Sequence, residues 1–503
     1  MPKTTRRTFL KVATVTSAGY MVAAGNQMAI SQSPNERPGV ACIGVGGKGG
    51  GDCNNAARFG KIIAICDIDK GRLTGKGKDE RCKDAKQYVD FREMLRNHEK
   101  DIEIVTISTP DHMHAPATLM AMEMGKSCYT QKPLTRTIYE ARKLKDVAAK
   151  TGVCTQMGNQ GSALNTSRWA ISELQSGVLG PVKEVYVWSN RPVWPQGPGR
   201  VNTMAKFREA AKKDGADDAT INAMAAEQQK GIDKAMENID WDLWLGVAKK
   251  REFWPGVYVH FAWRSWWDFG TGALGDMACH MMTVPFEGVN LRDPASVKAK
   301  TTGHDFDSFP VSSIIEFEFA ETAKNPAYKF WWYDREGNRP PASVFEPWGI
   351  KPEKSGVLVI GEKGAFYSAD DYCGKAEFIK VTPNTPVPKN EGDFDVNNMK
   401  ELFEAVDKKD PKHCRSNFVD RGGPLTETIL LGNLAVWAAY KGEKDADGKP
   451  GAMMKDWGPT IQWDAKELKV KNLDDIRKAE GADVADKIAG LVKPTYPSGY
   501  KLD

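Results

Sequence analysis

Short apolar runs alternate with amphipathic stretches through the first third of the chain. Val40-Ala41-Cys42-Ile43, Lys61 to Cys66, Ile104 to Ser108 and Ser127 to Tyr129 predict strands. Between and after them, residues 51–59, 91–97, 115–124 and 138–150 carry helical spacing. Strand–helix alternation of this kind builds a parallel doubly wound sheet, whose ligands lie at the carboxyl ends of the strands. After Gly158 the period changes. Val182 to Ser189, Ser296 to Thr302, Val311 to Ala320, Tyr328 to Tyr333, Gly356 to Ile360 and Ala376 to Val381 read as strands. Ile315, Phe317 and Phe319 alternate with Ile314, Glu316 and Glu318, so one face is buried and the other more polar. The expected fold is therefore α/β: an N-terminal doubly wound domain plus a C-terminal α+β domain with a large, mostly antiparallel sheet. Helices near 399–408 and 425–440 close the body, and residues 451–503 read as a turn-rich, charged tail that wraps the surface.

Two segments stand outside this pattern. Residues 203–238 are rich in Ala, Lys and Asp, helical in spacing and broken at Asp214-Gly215. They read as an inserted helical hairpin, a solvated decoration in preference to a lid. At the N-terminus, Arg6-Arg7 precedes Val12 to Ala24, an uncharged stretch of 13 residues. A membrane span needs about 20 apolar residues, so this is expected to be a twin-arginine export signal with a polar linker, residues 1–38. That predicts a periplasmic protein without a membrane span. The remaining boundaries follow as 39–155 for the nucleotide domain and 156–450 for the substrate domain.

Composition narrows the class. Lys+Arg 70 against Asp+Glu 66 gives +4 in 503 residues, without the basic stripe of a nucleic-acid binder. Nine cysteines form no CxxC motif or Cys/His cluster, so free thiols and no metal site are expected. Eight of the 15 tryptophans fall between Trp188 and Trp267. Such a cluster suits either a sugar-facing surface or a large aromatic core.

The chemistry begins directly after the first strand. Gly44-Val45-Gly46-Gly47-Lys48-Gly49 has the G-x-G-x-x-G spacing: Gly44 for a tight turn, Gly46 for close approach to a pyrophosphate, Gly49 for helix packing. The second strand ends in Asp67, 23 residues after Gly44, where a carboxylate accepts the ribose 2′-hydroxyl of NAD and repels a 2′-phosphate. Two further strand-end loops are chemically suspect, Ser108-Thr109-Pro110-Asp111-His112-Met113-His114 and Gln131-Lys132-Pro133. Downstream, Asp276 and His280 stand four residues apart on a helix expected to begin near Asp276, after the flexible segment Gly270 to Gly275.

Together these motifs resemble the Gfo/Idh/MocA oxidoreductase family over roughly residues 38–440, in a secreted branch carrying a twin-arginine signal and Gly158-Asn159-Gln160-Gly161. The resemblance implies a Rossmann domain, NAD as cofactor, reversible hydride transfer at a sugar or cyclitol carbinol, and possible homo-oligomers through the C-terminal sheet. Where the family usually has Glu-Lys-Pro this chain has Gln131, which removes a nearby negative charge.

Oxidation of a secondary alcohol requires a hydride acceptor and a base for the hydroxyl proton. His280 is the expected base, with Lys132 hydrogen-bonding the reacting oxygen and Asp276 orienting His280 or holding a neighbouring hydroxyl. Thr109, Pro110 and His114 are placed to contact nicotinamide or ribose. His260, Trp263 and Arg264 would border the same cleft and bind sugar, with Asn159 and Gln160 as weaker substrate contacts. Two alternatives stay open: a glycoside hydrolase or lyase acting through transient NAD-mediated oxidation at sugar C3, and a non-enzymatic sugar-binding protein.

Overall fold

A computed structural model describes residues 37–444 and 450–503; the export signal expected at the N-terminus lies outside them. Six parallel strands form the first sheet: β1 (Gly39–Ile43), β2 (Lys61–Cys66), β3 (Lys86–Tyr88), β4 (Ile104–Ile107), β5 (Ser127–Gln131) and β6 (Thr155–Gly158). Their order is β3-β2-β1-β4-β5-β6, the doubly wound arrangement in which strand order reverses between β1 and β4. Every residue of β1 is buried, as a strand covered on both faces must be. Ile43 lies in register with Cys66 of β2 and Ile107 of β4, so three strands end level and deliver the glycine turn, Asp67 and the Thr109 loop to one edge.

The glycine turn is shaped by steric necessity. Gly44 has φ +77° and donates its N–H to the Cys66 carbonyl at 2.8 Å. A Cβ on Gly49 would stand 1.9 Å from the Gly44 carbonyl oxygen. The helix that follows starts at Lys48, earlier than its spacing suggested, because the glycines themselves form its first turn.

The second sheet is built from β7 (Val182–Ser189), β8 (Ser296–Thr301), β9 (Ser313–Phe319), β10 (Tyr328–Asp334), β11 (Gly356–Gly361), β12 (Ala365–Ser368) and β13 (Ala376–Ile379). A small ribbon, β14 (Glu443–Lys444) with β15 (Pro450–Ala452), precedes β16 (Ile461–Asp464) and β17 (Lys469–Val470). The sheet order is β13-β12-β11-β7-β10-β9-β8-β16-β17, antiparallel except where β10 runs parallel to β7. The expectation of a turn-rich tail therefore needs correction: it adds two edge strands, then the helices Leu473–Glu480 and Ala482–Val492. Residues 203–238 do form two helices, Met204–Lys213 and Asp218–Met236.

One helix, Gly423–Ala438, is buried almost all round, between the second sheet and the helix Ile138–Thr151 that covers the first. A Cβ on its Gly432 would lie 2.7 Å from Leu274 and 2.9 Å from Phe317, so this close approach excludes a larger residue. The tryptophan cluster is chiefly core. Trp241, Trp244, Trp254, Trp263 and Trp266 pack with Tyr258 and Phe269, and Trp241 stacks on Trp244 at 4.7 Å. All nine cysteines are buried and unpaired.

Gly49→Ala forces the helix Lys48–Phe59 away from the Gly44 turn and Ser108, and such overpacking costs about 1–3 kcal/mol. Urea denaturation should register that loss; an unchanged midpoint would show that the contact can relax freely.

Candidate active site

The level ends of β1, β2 and β4 form one wall of a cleft of about 510 Å³, and residues from the second domain form the other. Gly44, Gly46, Gly47, Gly49, Asp67, Thr109, Pro110, His114, Lys132, Gln160, His260, Trp263, Arg264, Asp276 and His280 all line it. Asn159 lies immediately behind His280.

At the nucleotide end, an added Cβ on Gly47 would meet no atom within 4 Å, so the turn is open where a pyrophosphate must approach. The helix starting at Lys48 has no side-chain cap, and Gly49 and Gly50 donate their N–H groups to the Gly46 and Gly47 carbonyls at 3.0 and 3.1 Å. Asp67 accepts N–H groups from Val45 at 2.9 Å and Asp69 at 3.0 Å. Burial pushes its carboxyl above the ordinary range against those two bonds. These residues fit an NAD cofactor: an open glycine turn at a helix start for the phosphates and a carboxylate at the ribose position.

At the other end, Lys132 Nζ bonds Asp276 Oδ1 at 2.9 Å and the Asp276 carbonyl at 2.5 Å. Arg264 Nε reaches the same carboxylate oxygen at 3.2 Å, and Arg191 Nε stands 4.0 Å from the other. Burial opposes ionisation of Asp276, but Lys132 and Arg264 outweigh it and hold the carboxyl well below its usual range.

The i, i+4 spacing of Asp276 and His280 does not produce the pair expected from sequence. The helix spans Gly272–Met281, with the glycine segment as its first turn and not a flexible lead. Asp276 is turned to the cations, and His280 Nδ1 contacts Asn159 Oδ1 at 3.0 Å. Asn159 Nδ2 donates to the Cys279 carbonyl at 2.8 Å and Thr283 Oγ1 at 2.6 Å. The amide oxygen is thereby committed to the ring, so His280 carries its proton on Nδ1 and presents the Nε2 lone pair. Burial, reinforced by Lys132, keeps this imidazole neutral. Asn159 is accordingly a support for the histidine and not the substrate contact anticipated, since both ends of its amide are engaged and it is buried.

Two other expected contacts differ. His114 is buried with Nδ1 at 2.8 Å from the Pro133 carbonyl and Nε2 at 2.9 Å from the Thr109 carbonyl, and as a neutral ring it donates a hydrogen bond to one of the two. Burial lowers its pKa to about 4. His260 is half exposed and bonds Asp69 Oδ2 at 2.8 Å, on the nucleotide side of the cleft and away from the sugar end. Gln160 lines the cleft, is 6% exposed, and its Oε1 has no partner.

Gln131 alters the expected electrostatics as well. Its amide donates to Asp52 Oδ2 at 2.9 Å, and Ser108 Oγ donates to the same oxygen at 2.8 Å. Lys48 pairs with Asp52 Oδ1 at 3.1 Å. A carboxyl absent at position 131 is therefore found at Asp52, one side chain further back, where burial raises its pKa against Lys48, Ser108 and Gln131.

Arg191, Tyr372 and Asp111 also line the cleft; the sequence reading marks neither of the first two, and Asp111 only as a member of a suspect loop. Tyr372 meets His280 edge to face at 4.8 Å. Asp111 accepts Thr271 Oγ1–H at 2.7 Å, and burial pushes its carboxyl to about 7 despite Arg264 and Thr271. A carboxylic acid beside a basic His in such a loop was visible as sequence, but nothing local marked its burial. Among the described residues, no group of three or more His, Cys, Asp or Glu could hold a metal ion, and no helix is long and apolar enough to cross a membrane.

The Asp111 shift has a definite sign. Its folded value of about 7 exceeds the unfolded 3.8, so the folded protein retains a proton that the unfolded chain releases. That contribution to stability falls as pH rises through this window. Asp111→Asn removes the ionisation and should gain on the wild type by about 1.4 kcal/mol per pH unit there. Urea titrations across the window check this, and a pH-independent difference would reject it.

Comparison with known proteins agrees with this layout. Residues 39–159 match the family model described as "Oxidoreductase family, NAD-binding Rossmann fold", and residues 223–324 match "Oxidoreductase family, C-terminal alpha/beta domain". A glycosyl hydrolase family 109 protein of Shewanella pealeana is 30% identical over 183 residues, 31% of this chain and 40% of that relative, so the match spans less than half of the relative's length. The WlbA dehydrogenase of Bordetella pertussis, solved with NADH and UDP-GlcNAcA, superposes with TM-score 0.51 at 12% identity, over 80% of this chain and 96% of that one. An inositol dehydrogenase homolog from Azotobacter vinelandii, solved with NADH and myo-inositol, gives TM-score 0.51 at 15% identity, over 85% and 98%. Likeness at such identity establishes the fold.

Proposed function

We propose that the chain, whose residues 39–159 and 223–324 match models of the oxidoreductase family, is a Gfo/Idh/MocA-type NAD-dependent oxidoreductase acting on a secondary hydroxyl of a sugar, sugar derivative or cyclitol. One observation carries the reading: Lys132, paired with Asp276, and a neutral His280 held by Asn159 line the same cleft as the glycine turn and Asp67. When bound, NAD⁺ supplies an acceptor for the electron pair of the carbinol C–H bond. His280 Nε2 takes the hydroxyl proton as the C=O bond forms. Lys132 stabilises the developing negative charge on that oxygen, while Asp276 fixes the ammonium in place. Gln160 Oε1, lacking a partner in the cleft wall, accepts a further substrate hydroxyl. The exposed ring of Phe261, with Trp263 beneath Arg264, offers an apolar face for a sugar ring.

The same cleft supports a second reading, which the family 109 relative favours. Transient oxidation at sugar C3 needs the same hydride acceptor, base and cation, and ends in glycoside cleavage with no net NADH. The twin-arginine segment supports export of a protein folded around its cofactor, and the outward face of the second sheet supports association with a second copy.

The nucleotide released from the purified protein should be NAD. Adding a panel of sugars and glycosides with free NAD⁺ should give absorbance at 340 nm for a dehydrogenase, or free aglycone without net NADH for the alternative. A protein that binds no nucleotide would refute both. Lys132→Ala and His280→Ala should each lower kcat by about 10²–10⁴-fold, and undiminished turnover would remove the assignment.

Asp67 should select NAD over NADP. Losing a charge-assisted hydrogen bond costs about 1.5–3 kcal/mol, so Asp67→Asn should narrow the ratio of kcat/KM values by roughly tenfold or more; an unaltered ratio would place selection elsewhere.

A further inference from the structure

We propose that the substrate is an anionic sugar, with a carboxylate or sulfate group held between Arg191 and Arg264. This rests on the oxidoreductase reading of the same cleft and specifies what enters it. At the substrate end three permanent cations, Lys132, Arg191 and Arg264, converge on the single carboxylate of Asp276. The other acid lining this end, Asp111, is buried, bonded to Thr271, and pushed up to about 7, so at neutral pH it is only about half ionised. The cations outnumber ionised carboxylates here.

Their individual roles differ. Lys132 is matched to Asp276 at 2.9 Å. Arg264 shares that carboxylate and lies over Trp263 at 4.2 Å and Phe261 at 4.5 Å, which explains its position in part. Arg191 is the residue that Asp276 does not account for. Its Nε approaches the carboxylate only to 4.0 Å, and its Nη1 contacts the Asn190 side chain, a neutral group. Its side chain is 25% exposed and lines the cleft. Holding guanidinium groups in a partly desolvated cleft is unfavourable without counter-charge. A neutral polyol brings none, whereas a carboxylate or sulfate matches the planar donor fork of arginine and forms charge-assisted hydrogen bonds.

The test uses the purified full-length protein. With NAD⁺ present, kcat/KM is measured by absorbance at 340 nm for hexoses, the corresponding hexuronates and the corresponding hexose sulfates, with binding of each measured calorimetrically. At least one acidic class should exceed its neutral parent by about tenfold or more, the energy of one charge-assisted hydrogen bond, and the advantage should shrink with added salt. The better acid identifies the group. Arg191→Gln should bring the acid-to-neutral ratio towards unity, with Arg191→Lys restoring part of it. Neutral sugars that are bound and oxidised as well as the acids, or an unchanged ratio in Arg191→Gln, would overturn the proposal. Acids that bind selectively while no sugar is oxidised would support the anion site and refute the oxidoreductase reading. Because binding to the wild type alone discriminates these outcomes, the proposal stays testable even if a variant fails to fold.

Discussion

The Lys132–Asp276 ion pair is the contact on which the site depends. Lys132 follows a strand of the parallel sheet, and Asp276 belongs to a helix packed under the second sheet, so a 2.9 Å contact between them closes the cleft from both sides. Both side chains are 12% exposed. At that burial, removing one partner leaves a poorly solvated charge, a loss of about 3–5 kcal/mol for fully buried pairs and less here. The geometry around the pair is correspondingly tight, with the ammonium also held by the Asp276 carbonyl.

Once Asp276 is committed to cations, His280 must find another orienting group, and Asn159 supplies it. The substitution of partner matters chemically. A carboxylate against Nδ1 would stabilise imidazolium, whereas a neutral amide oxygen fixes the tautomer without adding charge. The result is two opposed environments within one turn of helix: a carboxylate kept ionised by cations, and an imidazole kept neutral by burial. Gln131 likewise engages a buried carboxyl nearby, its amide donating to Asp52 one side chain behind Lys132.

The glycine turn, Asp67, Lys132, Asp276 and His280 were legible because each belongs to a motif whose meaning is local. A turn with φ +77° needs glycine, a strand edge ends in an acid, and a helix puts positions four apart on one face. Arg191 and Tyr372 carried no such mark. Arg191 follows β7 in an irregular segment, and Tyr372 lies between β12 and β13; both reach the cleft only because the second sheet turns its end towards the first. The tryptophans were ambiguous for a related reason: their spacing could not distinguish a core from a sugar platform, and packing placed most of them in the core.

By itself the amino-acid sequence indicated β1, β2, β4, β5, β7 to β11 and β13, many of the helices, and the residue types available to the chemistry, but not β3, β6, β12 or β14 to β17. Backbone preference and hydrophobic period act over a few residues, and those few residues are all on view in the chain. Only the tertiary structure decided who pairs with whom: Asp276 with Lys132 and not His280, His280 with Asn159, His114 with two carbonyls, His260 with Asp69. A hydrogen bond is made or lost over less than an ångström, and that margin is set by how the two sheets pack, over separations of 144 residues for Lys132–Asp276 and 121 for Asn159–His280.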